Sequence, residues 1–228
     1  MRFQFVRRLP VLLTLCLLGN AFAAQETAPR PPAASLKKPA GASQPVDERG
    51  FIRRWMVLEP IPSGGQLTES AVETVVQGAA LPGDAPAIPR DGDTVEKNGT
   101  LRWHALETKA YNLNLYHFAW ALTKPTSNVL FWVVTTVDAP QEMRDVRLAI
   151  CSNAASQWWL NGERVIGLYN DRQAVIDDGV SKRVTLRKGR NLIRAAIING
   201  GGATDFCARF LDAQNRPVTN LRVSLQPN

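Results

Sequence analysis

Trp158-Trp159-Leu160-Asn161-Gly162-Glu163-Arg164-Val165 decides how this chain is read. It has the form of a strand, a two-residue turn and a second strand. Asn-Gly is the preferred pair where both turn residues need positive φ, because that turn twists in the same sense as the strands it joins. Neighbouring Trp158 and Trp159 must point to opposite faces of a regular strand. One can fill a core while the other stands outside; alternation does not say which.

Working outward, strand-like runs recur with turn signals between them. Downstream lie Lys182 to Leu186, Leu192 to Ile198, Phe206 to Leu211 and Leu221 to Leu225. Upstream lie Arg53 to Leu58, Leu101 to Leu106, Leu113 to Leu122, Val129 to Val137 and Val146 to Ile150. In the fourth of these, Val129, Phe131, Val133 and Val137 alternate with Leu130, Trp132 and Val134. Both faces are apolar, so this strand is expected at the centre of a sheet covered on both sides. Ser70-Ala71-Val72-Glu73 has the spacing of a capping box and predicts one short helix running to Val76. Residues 78–100, rich in Pro and Gly, read as a long irregular loop. Many short strands with almost no helix predict an all-β sandwich or jelly roll.

The ends are of different composition. Arg2, Arg7 and Arg8, the apolar run Leu9 to Leu18 and the small-x-small Ala21-Phe22-Ala23 read as a secretory signal peptide over residues 1–23. Residues 24–48, rich in Ala, Pro, Lys and Gln, read as a disordered tether. A single domain is expected over 49–228. No later run is long and apolar enough for a membrane helix. These features imply a periplasmic or secreted protein.

The formal net charge is +7. From Arg49 onward there remain 21 Lys and Arg against 17 Asp and Glu, with local clusters only at Lys182-Arg183 and Arg187-Lys188-Gly189-Arg190. So dispersed an excess does not make the stripe of a nucleic-acid binder. Short basic runs of this kind are usually solvated turns, with weak attraction to acidic glycans or envelope phosphates left open.

Beyond the leader two cysteines remain, Cys151 and Cys207. In an oxidising compartment a disulfide is the natural expectation. It would close a loop of about 57 residues, worth about 4 kcal/mol in the chain-entropy model. Alternation puts both sulfurs on the polar faces of their strands. Two free thiols remain the alternative, since sequence does not supply the Cα separation. With no Cys-x-x-Cys and no Cys/His cluster, a zinc site is not expected.

The order Trp55-Met56-Val57-Leu58-Glu59-Pro60-Ile61-Pro62, Leu101-Arg102-Trp103, Leu148-Ala149-Ile150-Cys151-Ser152-Asn153, Trp159-Leu160-Asn161-Gly162, Leu186-Arg187-Lys188-Gly189-Arg190-Asn191 and Phe206-Cys207-Ala208-Arg209-Phe210 resembles the galactose-binding-like jelly-roll domains found beside bacterial carbohydrate-active enzymes. The sugar-binding domain of family 2 glycoside hydrolases is one such relative in architecture. The distinctive pairing is a Trp-x-Asn-Gly turn followed some 25 residues later by a Leu-x-x-Gly-x-Asn turn. The resemblance implies non-catalytic carbohydrate binding. A structural or docking module for another exported protein is the alternative, and a cryptic glycan hydrolase a third reading, because fold does not fix activity. The loop Ser152 to Ser156 departs from the acidic, Gly-rich loop often seen in relatives.

Candidate binding residues follow. An exposed indole of Trp158 or Trp159 could stack on a sugar ring. Asn153, Arg172, Asn199 and Asp205 lie in or beside loops and could contact hydroxyl groups. Trp103 and Trp120 are expected to pack. Asp171, Asp177 and Asp178 offer oxygen atoms of the kind that hold calcium, without the spacing of a calcium loop, so no cofactor is expected. His104 and His117 are the only histidines, and His117 is expected packed within a strand. No catalytic motif is present: there is no Gly-x-Ser-x-Gly, no His-Glu-x-x-His, and no carboxylate pair stands out.

Overall fold

The computed structural model describes residues 36–80 and 88–227. The first half holds β1 (Leu36–Lys37), β2 (Ser43–Pro45), β3 (Arg54–Leu58), β4 (Ile61–Pro62), α1 (Glu69–Gly78), β5 (Thr94–Glu96), β6 (Thr100–Thr108), β7 (Leu113–Asn114) and α2 (Leu115–Ala121). The second holds β8 (Val129–Ala139), β9 (Met143–Ser152), β10 (Ala155–Leu160), β11 (Glu163–Leu168), β12 (Gly179–Val180), β13 (Val184–Leu186), β14 (Gly189–Asn199), β15 (Asp205–Leu211) and β16 (Arg222–Ser224).

Two antiparallel sheets form a sandwich. The larger runs β1-β6-β3-β8-β14-β10-β11, and the smaller runs β12-β9-β15-β7 with β13 beside β9. After β8 the chain crosses between sheets at most connections; the hairpin β10–β11 stays within the larger sheet and the β12–β13 connection within the smaller. Its turn is the one read from sequence, with φ of 51° at Asn161 and 90° at Gly162.

Alternation in β8 sorts its side chains as expected. Val129, Phe131, Val133 and Val137 enter the core between the sheets with Trp55, Trp158, Leu148, Phe206 and Phe210. Leu130, Trp132 and Val134 face outward, where Val72 and Val76 of α1 and Trp103 cover them. The centre of the larger sheet is therefore buried on both faces. Each fully buried Leu, Val or Phe side chain contributes about 1.5–3 kcal/mol by apolar transfer.

Several expectations are corrected. The segment Leu113 to Leu122 is two residues of strand followed by α2. Asn114 caps that helix by accepting the amide of His117 at 2.7 Å, and the buried Leu115, Phe118 and Ala119 have the i, i+3, i+4 spacing of a helix. The short helix expected to run to Val76 does form, as α1, and it follows β4 in the chain instead of lying near the N-terminus. It starts at Thr68, which makes no side-chain cap bond. The Ser70/Glu73 capping box is not formed, because Ser70 lies inside the helix, and the Glu73 carboxylate accepts from Arg164 at 2.8 Å instead. The loop over 78–100 contains β5, which pairs with β6.

The tether reading fails over residues 36–48. β1 extends the sheet beside β6, β2 pairs with β16, and Val46 is buried. Nearly buried Arg54 fastens this strap. It bonds Glu107 at 2.9 Å and donates to the carbonyls of Gly41 and Ala40 at 3.1 and 2.6 Å. Composition alone misses this because backbone pairing and one arginine hold the strap. The leader reading over 1–23, and residues 24–35 of the tether, lie outside the described residues.

Cys151 and Cys207 are bridged, directly opposite one another on β9 and β15 with Cα atoms 5.0 Å apart. They do face away from the central core. That face is nonetheless covered, by Phe51, Tyr111, Ala174 and Ile176, so the expectation of polar surroundings is also corrected.

Candidate functional site

The strand ends divide the sandwich into two unlike ends. At one, β9 stops at Ser152, β10 starts at Ala155, β14 stops at Asn199 and β15 starts at Asp205. The connections there are loops, and three of the six residues singled out from sequence meet in them.

Asp205 is the centre. Its backbone amide donates to Asn153 Oδ1 at 2.6 Å, and its Oδ1 accepts from Asn112 Nδ2 at 2.9 Å. Asn114 also hydrogen-bonds its carboxyl group, and the charge of His117 is felt there. Burial raises the Asp205 pKa above the ordinary aspartate value; the bonds from Asn114 and Asn112 and the nearby His117 oppose this without cancelling it. Asp205, Asn112, Asn114 and Asn153 remain partly accessible, and His117 and the loop Gly201 to Ala203 are exposed. Thr204, beside them, is buried with its hydroxyl unpaired among the described residues.

Asn199 serves this end differently. It is buried, donating to the carbonyls of Thr126 and Gly202 at 2.7 and 3.3 Å and accepting from the Gly201 amide at 3.1 Å. It shapes the Gly200–Thr204 loop. Gly200 is required at the start of that loop, since a Cβ there would lie 2.7 Å from the Gly65 carbonyl oxygen.

The remaining candidates lie elsewhere. Trp158 is fully buried, edge-on to Trp55 and Phe206, with its indole N–H on Ser156 Oγ at 3.0 Å. It is a core residue and offers no stacking surface. Trp159 points to the outer face of the larger sheet, partly buried against Trp132, with the Arg194 guanidinium 5.2 Å from its ring centre. Arg172 is bound to Asp178 in the loop after β11. Asp177 is bound to Arg209. Two of the three carboxylates weighed for calcium therefore face arginine. Trp103 is buried as expected, and Trp120 is partly buried.

His104 faces a carboxylate. Its Nε2 lies 3.3 Å from Glu59, which also takes Lys124 Nζ at 3.0 Å. Burial pushes the Glu59 pKa up, but the bonds from Lys124 and His104 outweigh it and hold this carboxyl below the usual range. His117 lies on α2 and is exposed, not packed in a strand.

Asn112, Asn114 and His117 were not legible as partners of Asp205. The available signal was the helix spacing of Leu115, Phe118 and Ala119, which makes Asn114 a cap and fixes Asn112 at the mouth of the loop.

No protein-family model matches the chain, and no curated protein matches it in sequence. Solved structures match in shape. A PA14 sugar-binding domain from an RTX adhesin is 10% identical, covering 73% of this chain and 94% of that one at a TM-score of 0.44. A family 35 carbohydrate-binding module from an environmental isolate is 10% identical, covering 82% and 96% at a TM-score of 0.30. The β-glucosidase of Kluyveromyces marxianus in complex with glucose is 18% identical at a TM-score of 0.36; 54% of this chain is covered, and it spans only 16% of the length of that enzyme. These are likenesses of β-sandwich architecture.

Proposed function

We propose that this chain is an exported, non-catalytic carbohydrate-binding module that holds its sugar at the loop end, through Asp205, Asn112, Asn114 and Asn153. The observation that carries this reading is the half-buried carboxylate of Asp205 among three carboxamides at an accessible mouth. A carboxylate accepts from sugar hydroxyls, and a carboxamide both donates and accepts. An acceptor already partly stripped of water loses less on binding. The Cys151–Cys207 bridge supports export, since such bonds persist in oxidising compartments.

The test is affinity electrophoresis through gels holding neutral polysaccharides, followed by calorimetry on the best. Asp205→Ala should abolish retardation while Trp159→Ala leaves it intact. Retardation lost only with Trp159→Ala would move the site to the outer sheet. A chain that ignores every sugar but forms a stable complex with another exported protein is a docking module instead.

A further inference from the structure

The opposite end of the sandwich carries a groove of about 630 Å³, which the loop-end reading leaves unused. One wall is the Lys182–Arg187 segment, another is the β8–β9 turn with Glu142, Arg144 and Asp145, and the third is the β10–β11 hairpin. The two basic clusters noted in the sequence meet here. Lys182 to Arg190 holds five cations and no acid.

The rim of the groove is rigid. Asn191 is fully buried, and its Oδ1 accepts the Arg187 amide at 2.9 Å and Asn161 Nδ2 at 3.0 Å. Its Nδ2 donates to the carbonyls of Arg187 and Gly189 at 2.8 and 3.0 Å. Asn161 Oδ1 in turn accepts the Leu192 amide at 2.9 Å. The paired Asn-Gly and Gly-x-Asn turns are therefore one locked unit, and both polar groups of the Arg187 backbone are fixed by it.

The charges above that rim are unevenly matched. Arg144 bonds Glu142 at 2.7 Å and Lys182 bonds Glu163. Among the described residues Arg183 donates only to the Asp145 carbonyl, at 3.2 Å, and the exposed Arg187 guanidinium has no partner. Two guanidiniums without a carboxylate, one of them on an immobilised backbone, are suited to an oxyanion, which such a fork binds bidentately.

We propose that this groove binds an acidic glycan, through Arg183 and Arg187 on its oxyanion. The carboxylates of Glu142, Asp145 and Glu163 in the same lining favour a sugar chain over a nucleic acid. They accept from hydroxyl groups, which a sugar chain presents along its whole length and a DNA duplex does not. A lipid surface is disfavoured because the large exposed apolar residues, Val175 and Val180, do not line the groove.

The full chain is titrated by calorimetry at low salt with polygalacturonate, heparin, dextran, anionic phospholipid vesicles and duplex DNA. Polygalacturonate or heparin should bind, whichever it is identifying a carboxylate or a sulfate, with dextran silent at this groove. Arg183→Ala/Arg187→Ala should weaken that binding by about tenfold or more, as expected for loss of charged hydrogen bonds. Arg90→Ala/Lys97→Ala, equal in charge and remote, should weaken it less than about threefold, since only screened long-range attraction is lost. Asp205→Ala should leave it unchanged, which separates this site from the loop end. Equal losses in the two double variants, or tighter binding to vesicles or DNA than to either glycan, would overturn the proposal.

Discussion

The two ends of this sandwich are built from opposite materials. At the hairpin end, short turns are bolted together by Asn161 and Asn191, and Asn191 alone makes four hydrogen bonds from a fully buried side chain. At the loop end, the β6–β7, β9–β10 and β14–β15 connections converge on Asp205, whose charge is raised in energy by its surroundings. The first end uses its amides for stability. The second holds a carboxyl group whose ionisation burial disfavours. Position in the sandwich therefore sorts chemically similar residues into different roles.

The largest expected effect lies in the core that both ends share. Trp158→Ala should cost about 3–5 kcal/mol in urea unfolding, as removal of a fully buried aromatic does, against about 1 kcal/mol or so for the partly buried Trp159. Similar losses at the two would mean that the hairpin strand is not oriented as described.

Next comes the lock itself. Asn191→Ala strands the Arg187 amide and the Asn161 side chain and should cost about 2–4 kcal/mol, whereas Asn153→Ala at the loop end should cost about 1 kcal/mol. A reversal of that order would erase the contrast between the ends.

A smaller difference separates two carboxylates. Glu59 has a lowered pKa, so its contribution is present above the ordinary glutamate range and lost as pH falls through its folded value. Glu59→Gln should cost roughly 1–3 kcal/mol near neutral pH and little in acid. Asp205 has a raised pKa, so its ionisation disfavours the fold, fully so above its folded value. Asp205→Asn should leave stability unchanged or higher at neutral pH, a difference that fades below the ordinary aspartate range. Denaturation midpoints across pH for both variants check the two signs together.

Much of the architecture was legible because it rests on period two. β8 announced its two covered faces, and Asn161-Gly162 announced its turn. The pairing of Asn161-Gly162 with Gly189-x-Asn191 was visible as a pattern; its cause, an amide-to-amide bond between Asn161 and Asn191, was not. Helix α2 was missed because Leu113 to Leu122 is apolar enough to satisfy either period, and the cap at Asn114 decides it. The strap over residues 36–48 was missed because its order comes from partners distant in sequence, Glu107 and Arg54 above all. The site was half legible. Asn153 and Asp205 were found as loop residues, but Asn112 and Asn114 join them only through the β7–β15 pairing, and Trp158 could be placed in the core only once the sheets faced each other.

The most direct test maps the contact of a neutral sugar by backbone amide shifts in heteronuclear NMR. The account predicts perturbations confined to Asn112 to His117, Asn153 and Gly201 to Asp205, absent in Asp205→Ala. Perturbations centred on Trp159 or on the Asn161–Asn191 turns, with the Asp205 loops silent, would contradict it.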